Sequence, residues 1–124
     1  MSTHVLLVDD EPLIVHNLKV FLEDEGMEVE SAGSAEEAIA RVQQGVACDV
    51  CIMDMRLPGM DGNVAIQCLH ALRPAVRFII HTGSTGYTLP EELRALGIKE
   101  IQLFRKPVAD MRTLAEMVRT LAGT

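Results

Sequence analysis

Four short apolar runs, each followed at once by a polar side chain, constrain this chain more than any other feature. They are HVLLV (4–8) before Asp9 and Asp10, DVCIMD (49–54) ending in Asp54, VRFIIHT (76–82) ending in Thr82, and EIQLF (100–104) leading to Lys106. Short Val/Ile/Leu-rich runs without polar alternation read as strands buried on both faces. MEVES (27–31) is a weaker strand with acids at alternate positions. Between the strands the period changes. Ile14, Leu18, Phe21 and Leu22 recur at helical spacing after Pro12, and Gly26 provides a stop. Ser34 with Glu37 three residues on is a capping-box signature, and Gly45 closes that helix. A third helix covers 63–72 and stops at Pro74, and a short one covers 90–97. The last is capped by Asp110 and carries Met111, Leu114, Ala115, Val118 and Leu121 on one stripe.

Five strand–helix alternations with buried strands imply an α/β fold: a doubly wound parallel sheet covered by helices. In such sheets ligands bind beyond the carboxyl ends of the strands. That rule turns sequence position into spatial position, because Asp9, Asp10, Asp54, Thr82 and Lys106 all fall on that edge. Each has an ordinary reading alone, as a turn former, a helix cap or a solvated lysine. Their joint placement is what carries information. Gathered carboxylates either hold raised pKa values or hold a cation. An all-oxygen set suits Mg²⁺, which keeps several waters and uses one or two carboxylates with phosphate oxygens. A lysine can meet a phosphoryl oxygen as a point charge, and a threonine hydroxyl can donate to another. The set suits phosphoryl transfer onto a carboxylate.

Composition narrows the function classes. The 124 residues suffice for one domain, and the net charge of −7 argues against direct nucleic-acid binding or attraction to anionic lipid. No run approaches the roughly 20 apolar residues of a membrane span. The three cysteines form no even disulfide set, so a reduced, cytoplasmic setting is expected. The Cys48/Cys51 pair enters a buried strand rather than opening a helix, which favours packing over redox chemistry.

The segments LLVDDEP, CIMDMRLPGMDG, IIHTG and RKP, in this order, resemble the receiver domain of two-component response regulators across essentially the whole chain. The resemblance implies a flavodoxin-like (βα)5 fold with strand order 2-1-3-4-5. It implies residues 1–124 as a single receiver with no output domain in the chain. It makes Asp54 the phosphoacceptor, served by Mg²⁺ (or Mn²⁺). Asp10, Asp54 and the Arg56 backbone carbonyl would hold the metal directly, and Asp9 through water. Lys106 would pair with the phosphoryl group, Thr82 would be the switch hydroxyl, and Gly83 would leave room and supply an N–H. The Lys106–Pro107 peptide is expected to be cis. The implied partners are a sensor histidine kinase or histidine phosphotransfer protein as donor, and an unidentified downstream protein or output domain. The domain would be a signalling switch that catalyses its own phosphorylation and dephosphorylation, not a turnover enzyme.

Two departures from the family pattern stand out. Leu103 occupies the position, three before Lys106, where the family usually has an aromatic switch, with Phe104 beside it. The segment between Gly97 and Lys106 is also longer than usual, so non-standard geometry is expected at 98–102. Asp61 reads as a helix cap, not a further metal acid. His81 should point to the face opposite Thr82. Tyr87 could stand in for the missing aromatic or could be a surface side chain. Leu57 and Leu89 are expected to be exposed and available to a partner.

Overall fold

The structure is a computed structural model and describes residues 2–123. Five strands, β1 (His4–Val8), β2 (Glu28–Ala32), β3 (Val50–Asp54), β4 (Arg77–Thr82) and β5 (Leu103–Arg105), form one sheet in the order 2-1-3-4-5. All neighbouring pairs are parallel. The helices are α1 (Pro12–Asp24), α2 (Ala35–Gln43), α3 (Gly62–Leu72), α4 (Glu91–Arg94) and α5 (Met111–Ala122).

Strand alternation divides the core in two. Val5, Leu7, Val50, Ile52 and Ile79 pack with Leu18, Leu22, Leu114 and Val118 of α1 and α5. Leu6, Val8, Cys51, Met53, Phe78 and Ile80 pack with α2, α3 and α4 on the other side. Every residue of β3 is buried, as a central strand covered on both faces must be.

The local signals act as their chemistry requires. Pro12 opens α1, where its missing N–H has no intrahelical partner to lose. The Ser34 hydroxyl accepts from the Glu37 N–H at 3.1 Å. Asp61 Oδ1 accepts from the Val64 N–H at 3.0 Å, and Asp110 Oδ1 from the Arg112 N–H at 2.9 Å.

Three expectations need correcting. Leu57 and Leu89 are buried, at 8% and 4% exposure, because the loops that carry them fold back onto the α2–α3–α4 side of the core. The helix expected over 90–97 keeps only Glu91–Arg94. Its last turn tightens to three-residue bonds, with the Gly97 N–H donating to the Arg94 carbonyl, and ends at Gly97 with φ +93°. The strand expected over 100–104 is a 3₁₀ turn at Glu100–Gln102 followed by a three-residue β5.

That turn has a structural task. β5 pairs only with Ile80–Thr82. The Phe78 carbonyl, which precedes this paired stretch, takes its hydrogen bond from buried Gln102 Nε2 at 2.8 Å. Gln102 Oε1 in turn accepts from the Lys99 N–H at 2.9 Å. Gln102→Leu fits the space but leaves both backbone groups unpaired. A loss of about 1–3 kcal/mol is expected, read as a lower urea midpoint at unchanged m-value.

Candidate phosphoacceptor site

Parallel strands deliver their C-terminal residues to one edge. Asp9 follows β1, Asp54 ends β3, Thr82 ends β4 and Lys106 follows β5. Lys106 Nζ lies 2.8 Å from Asp9 Oδ2, 3.0 Å from Glu11 Oε1 and 3.2 Å from Asp54 Oδ2. The contact to Glu11 is a hydrogen bond, while toward Asp9 and Asp54 the ammonium is a close positive charge. Two of those acids are buried, Asp9 at 5% and Asp54 at 3% exposure, while Asp10 and Glu11 are exposed.

The loops are held by the acids themselves. Asp9 Oδ1 accepts from the Glu11 N–H at 2.9 Å, and Asp54 Oδ1 from the Arg56 N–H at 3.0 Å. Ligand oxygens of Asp9, Asp10, Glu11 and Asp54 lie within 4.8 Å of one another. The donors are all hard oxygens and carry more negative charge than Lys106 can offset, which fits Mg²⁺ and not a soft metal. Thr82 is fully buried, and its Oγ1 accepts from the Ser84 N–H at 3.1 Å. The Lys106 N–H donates to the Thr82 carbonyl at 2.8 Å, and the following Lys106–Pro107 peptide is cis. A cleft of about 230 Å³ opens here between the β3–α3 and β4–α4 loops, lined by Met55, Arg56, Asn63, Thr82, Ser84 and Tyr87.

Residues 5–119 match the response regulator receiver domain. The chain belongs to the response regulator receiver domain family. Among curated relatives, the alginate biosynthesis transcriptional regulatory protein AlgB of Pseudomonas aeruginosa is 31% identical over 93% of this chain. The match spans 29% of AlgB, so the chain corresponds to less than a third of that relative's length. A CheY-like receiver domain protein from Methanospirillum hungatei superposes with TM-score 0.84 at 30% identity, covering 99% of this chain and 95% of that one. The response regulator TrrA of Thermotoga maritima, solved in complex with Mg²⁺-BeF, superposes with TM-score 0.81 at 27% identity, covering 96% and 98%.

In this receiver domain the acid cluster leaves a mark on Asp54. Burial raises its pKa above the ordinary 3.8, and Asp9 adds to the rise, against the lowering by the Arg56 N–H and Lys106. Lys106 is raised in turn by its bonds to Asp9 and Glu11 against the cost of burial. A carboxyl with a raised folded-state pKa binds its proton more tightly folded than unfolded. Its ionised form therefore costs stability above that pKa, and the cost vanishes below the unfolded value. Asp54→Asn is expected to raise Tm at pH 7 in metal-free buffer. The gain should close as the pH falls below 3.8. Calorimetry at several pH values reads both.

Sequence reasoning missed three contributors. Glu11 was seen only as part of the DDEP segment, yet it takes one of the three Lys106 protons. Gly62 starts α3 where a Cβ would sit 2.9 Å from the Asp54 carbonyl oxygen and 2.7 Å from Met55 Sδ. Only the Gly in PGMDG signalled it. Glu36 reaches from α2 to accept from the Met60 N–H at 3.3 Å, beside Gly59 at φ +80°. A Cβ at Gly83 would meet Lys106 Cδ at an ordinary 3.9 Å. His81 is buried and lies on the α1–α5 side, in a pocket with Ile14, Leu18 and Met111. Burial and nearby Lys106 push its pKa down to about 4, so it is neutral at pH 7. Leu103 packs on the α2–α4 side, and Phe104 packs on the opposite, α1–α5 side. Phe104 therefore cannot take the place of an aromatic at 103. Cys51 is fully buried, and burial pushes the half-buried Cys48 thiol up to about 12, so both are inert packing groups.

Proposed function

We propose that this chain is a phosphorylation-controlled switch in which Asp54 accepts a phosphoryl group from a phosphohistidine. The observation that carries this reading is Lys106 Nζ at 3.2 Å from Asp54 Oδ2, inside a half-buried acid cluster at the strand ends. The donor is a sensor histidine kinase or a histidine phosphotransfer protein, which places the reaction in the cytoplasm. The Mg²⁺ (or Mn²⁺) ligands would be Asp10, Asp54 and the Arg56 carbonyl, with Asp9 acting through water. The Mg²⁺-BeF complex of TrrA supports this choice. When bound, the ion neutralises charge on the transferred group and orients it in line with the acceptor.

The chain's residues do the rest. A carboxylate oxygen of Asp54 attacks phosphorus, the phosphorus–nitrogen bond of the donor breaks, and an acyl phosphate forms. Lys106 gives up part of its carboxylate pairing and turns a donor to a phosphoryl oxygen. The Thr82 hydroxyl donates to another, and the Gly83 N–H would supply a further donor. The added charge biases the loops after β3 and β4, and the output is altered binding to a downstream protein or output domain. The described residues act as one receiver unit in this scheme.

The test is incubation with Mg²⁺ and acetyl phosphate, followed by intact-mass analysis. The wild type gains one phosphoryl group and Asp54→Ala gains none. Labelling that persists in Asp54→Ala overturns the assignment.

A further inference from the structure

The β5 position that usually carries a switch aromatic holds Leu103, whose side chain has no hydroxyl or ring to follow Thr82. The hydrogen bonds around Thr82 lead elsewhere. Thr82 Oγ1 accepts from the Ser84 N–H at 3.1 Å. The Ser84 carbonyl accepts from Arg105 Nη1 at 2.5 Å, and the Tyr87 carbonyl from Arg105 Nη2 at 3.2 Å. Arg105 is the β5 residue in register with Thr82. The Tyr87 hydroxyl donates to Asn63 Oδ1 at 3.1 Å, in the first turn of α3. That turn sits against the Asp54 carbonyl, where Gly62 makes the close approach. These contacts close a ring around the cleft, from Asp54 through α3, Tyr87 and Arg105 back to Thr82.

We propose that Arg105 and Tyr87 replace the β5 aromatic as the relay that carries the state of Asp54 into the β4–α4 loop and α3. The proposal rests on Asp54 being the phosphoacceptor. A threonine hydroxyl that swings toward a phosphoryl oxygen moves the oxygen that holds the Ser84 N–H. Ser84 either follows or is released. The guanidinium is a rigid planar fork bonded to two carbonyls of the same loop, so displacement at Ser84 is passed to Tyr87. The Tyr87–Asn63 hydrogen bond joins that loop to α3 in the ring, and it gives way. Arg105 and Tyr87 are positioning residues here and touch no reacting atom.

The chain has one tyrosine and no tryptophan, so its intrinsic emission reports Tyr87 alone. Phosphorylation by Mg²⁺ and acetyl phosphate is followed by intact mass while tyrosine emission is recorded. In the wild type, the mass gain is accompanied by a rise in emission as the phenol leaves its amide acceptor. Arg105 is exposed, so Arg105→Ala should fold. It is expected to take up the phosphoryl group while losing the emission response. Asn63→Ala is expected to start at the raised emission and to show no further change. A mass gain with unchanged wild-type emission, or a full response in Arg105→Ala, overturns the relay alone. Absence of any mass gain in the wild type overturns the acceptor reading and the relay with it.

Discussion

Lys106→Met is expected to lower stability at pH 7 in metal-free buffer by about 3 kcal/mol, because the loss of one partner strands buried charge. The lysine side chain is 11% exposed, and those of Asp9 and Asp54 are 4% and 3%. Methionine keeps most of the packing volume and removes the only cation within reach of both buried acids among the described residues. Asp9 and Asp54 are then left facing each other. Two rescues follow from that cause. Mg²⁺ should recover much of the loss, since an ion bound only by the folded state stabilises it by mass action. Acid should recover part of it, since a protonated Asp54 no longer needs a counter-charge. Urea titrations with and without Mg²⁺, at pH 7 and pH 5, measure all three. An equal loss under every condition would mean that packing, not charge, is what the lysine supplies.

The second large effect is expected at Gly62. A Cβ there falls 2.9 Å from the Asp54 carbonyl oxygen and 2.9 Å from Met55 Cα, as well as 2.7 Å from Met55 Sδ. A thioether can rotate away, but the two backbone atoms cannot. Gly62→Val must push α3 off the end of β3, and overpacking of this kind costs about 1–3 kcal/mol. The displaced atoms belong to Asp54, the proposed phosphoacceptor, and its neighbour, so acetyl phosphate labelling should slow more than stability alone predicts. Ala65 is buried on the same helix, and Ala65→Gly gives the control. It should cost about 1 kcal/mol through helix propensity and leave the labelling rate near wild type. Equal slowing in the two variants would show that α3 stability, not the approach at Gly62, governs the acceptor.

The fold was legible because its strands are buried on both faces. VLLV, VCIMD and FIIHT have no amphipathic alternation to explain in any other way, and parallel pairing with helical crossovers accounts for them. The site was legible for a geometric reason: parallel strands bring their C-terminal residues together, so Asp9, Asp54, Thr82 and Lys106 could be grouped without a structure. What sequence could not show depends on distances between elements. Glu11 is one more acid in an acidic chain until Lys106 is seen 3.0 Å away. Leu57 sits among turn residues that suggest exposure, and only the packing of its loop reveals it as core. The lengthened 98–102 segment was recognised as irregular. Its shape depended on where Gln102 would find buried backbone partners, which no local pattern encodes.

The three-residue β5 has a consequence for association. It is one of the two outer strands of the sheet, and an outer strand offers unpaired backbone groups to any chain that can extend it. Here the invitation is brief. The strand is preceded by a 3₁₀ turn and is followed one residue later by Pro107, which lacks an N–H. A protein approaching this flank has too short a run of backbone to template a further strand. What this flank presents instead is side chains: the apolar Ile101, 67% exposed, and the Arg94–Glu100 ion pair beside it. This flank is therefore shaped by side chains that lie outside the paired strand, and replacing Ile101 leaves the backbone hydrogen bonds of the sheet in place.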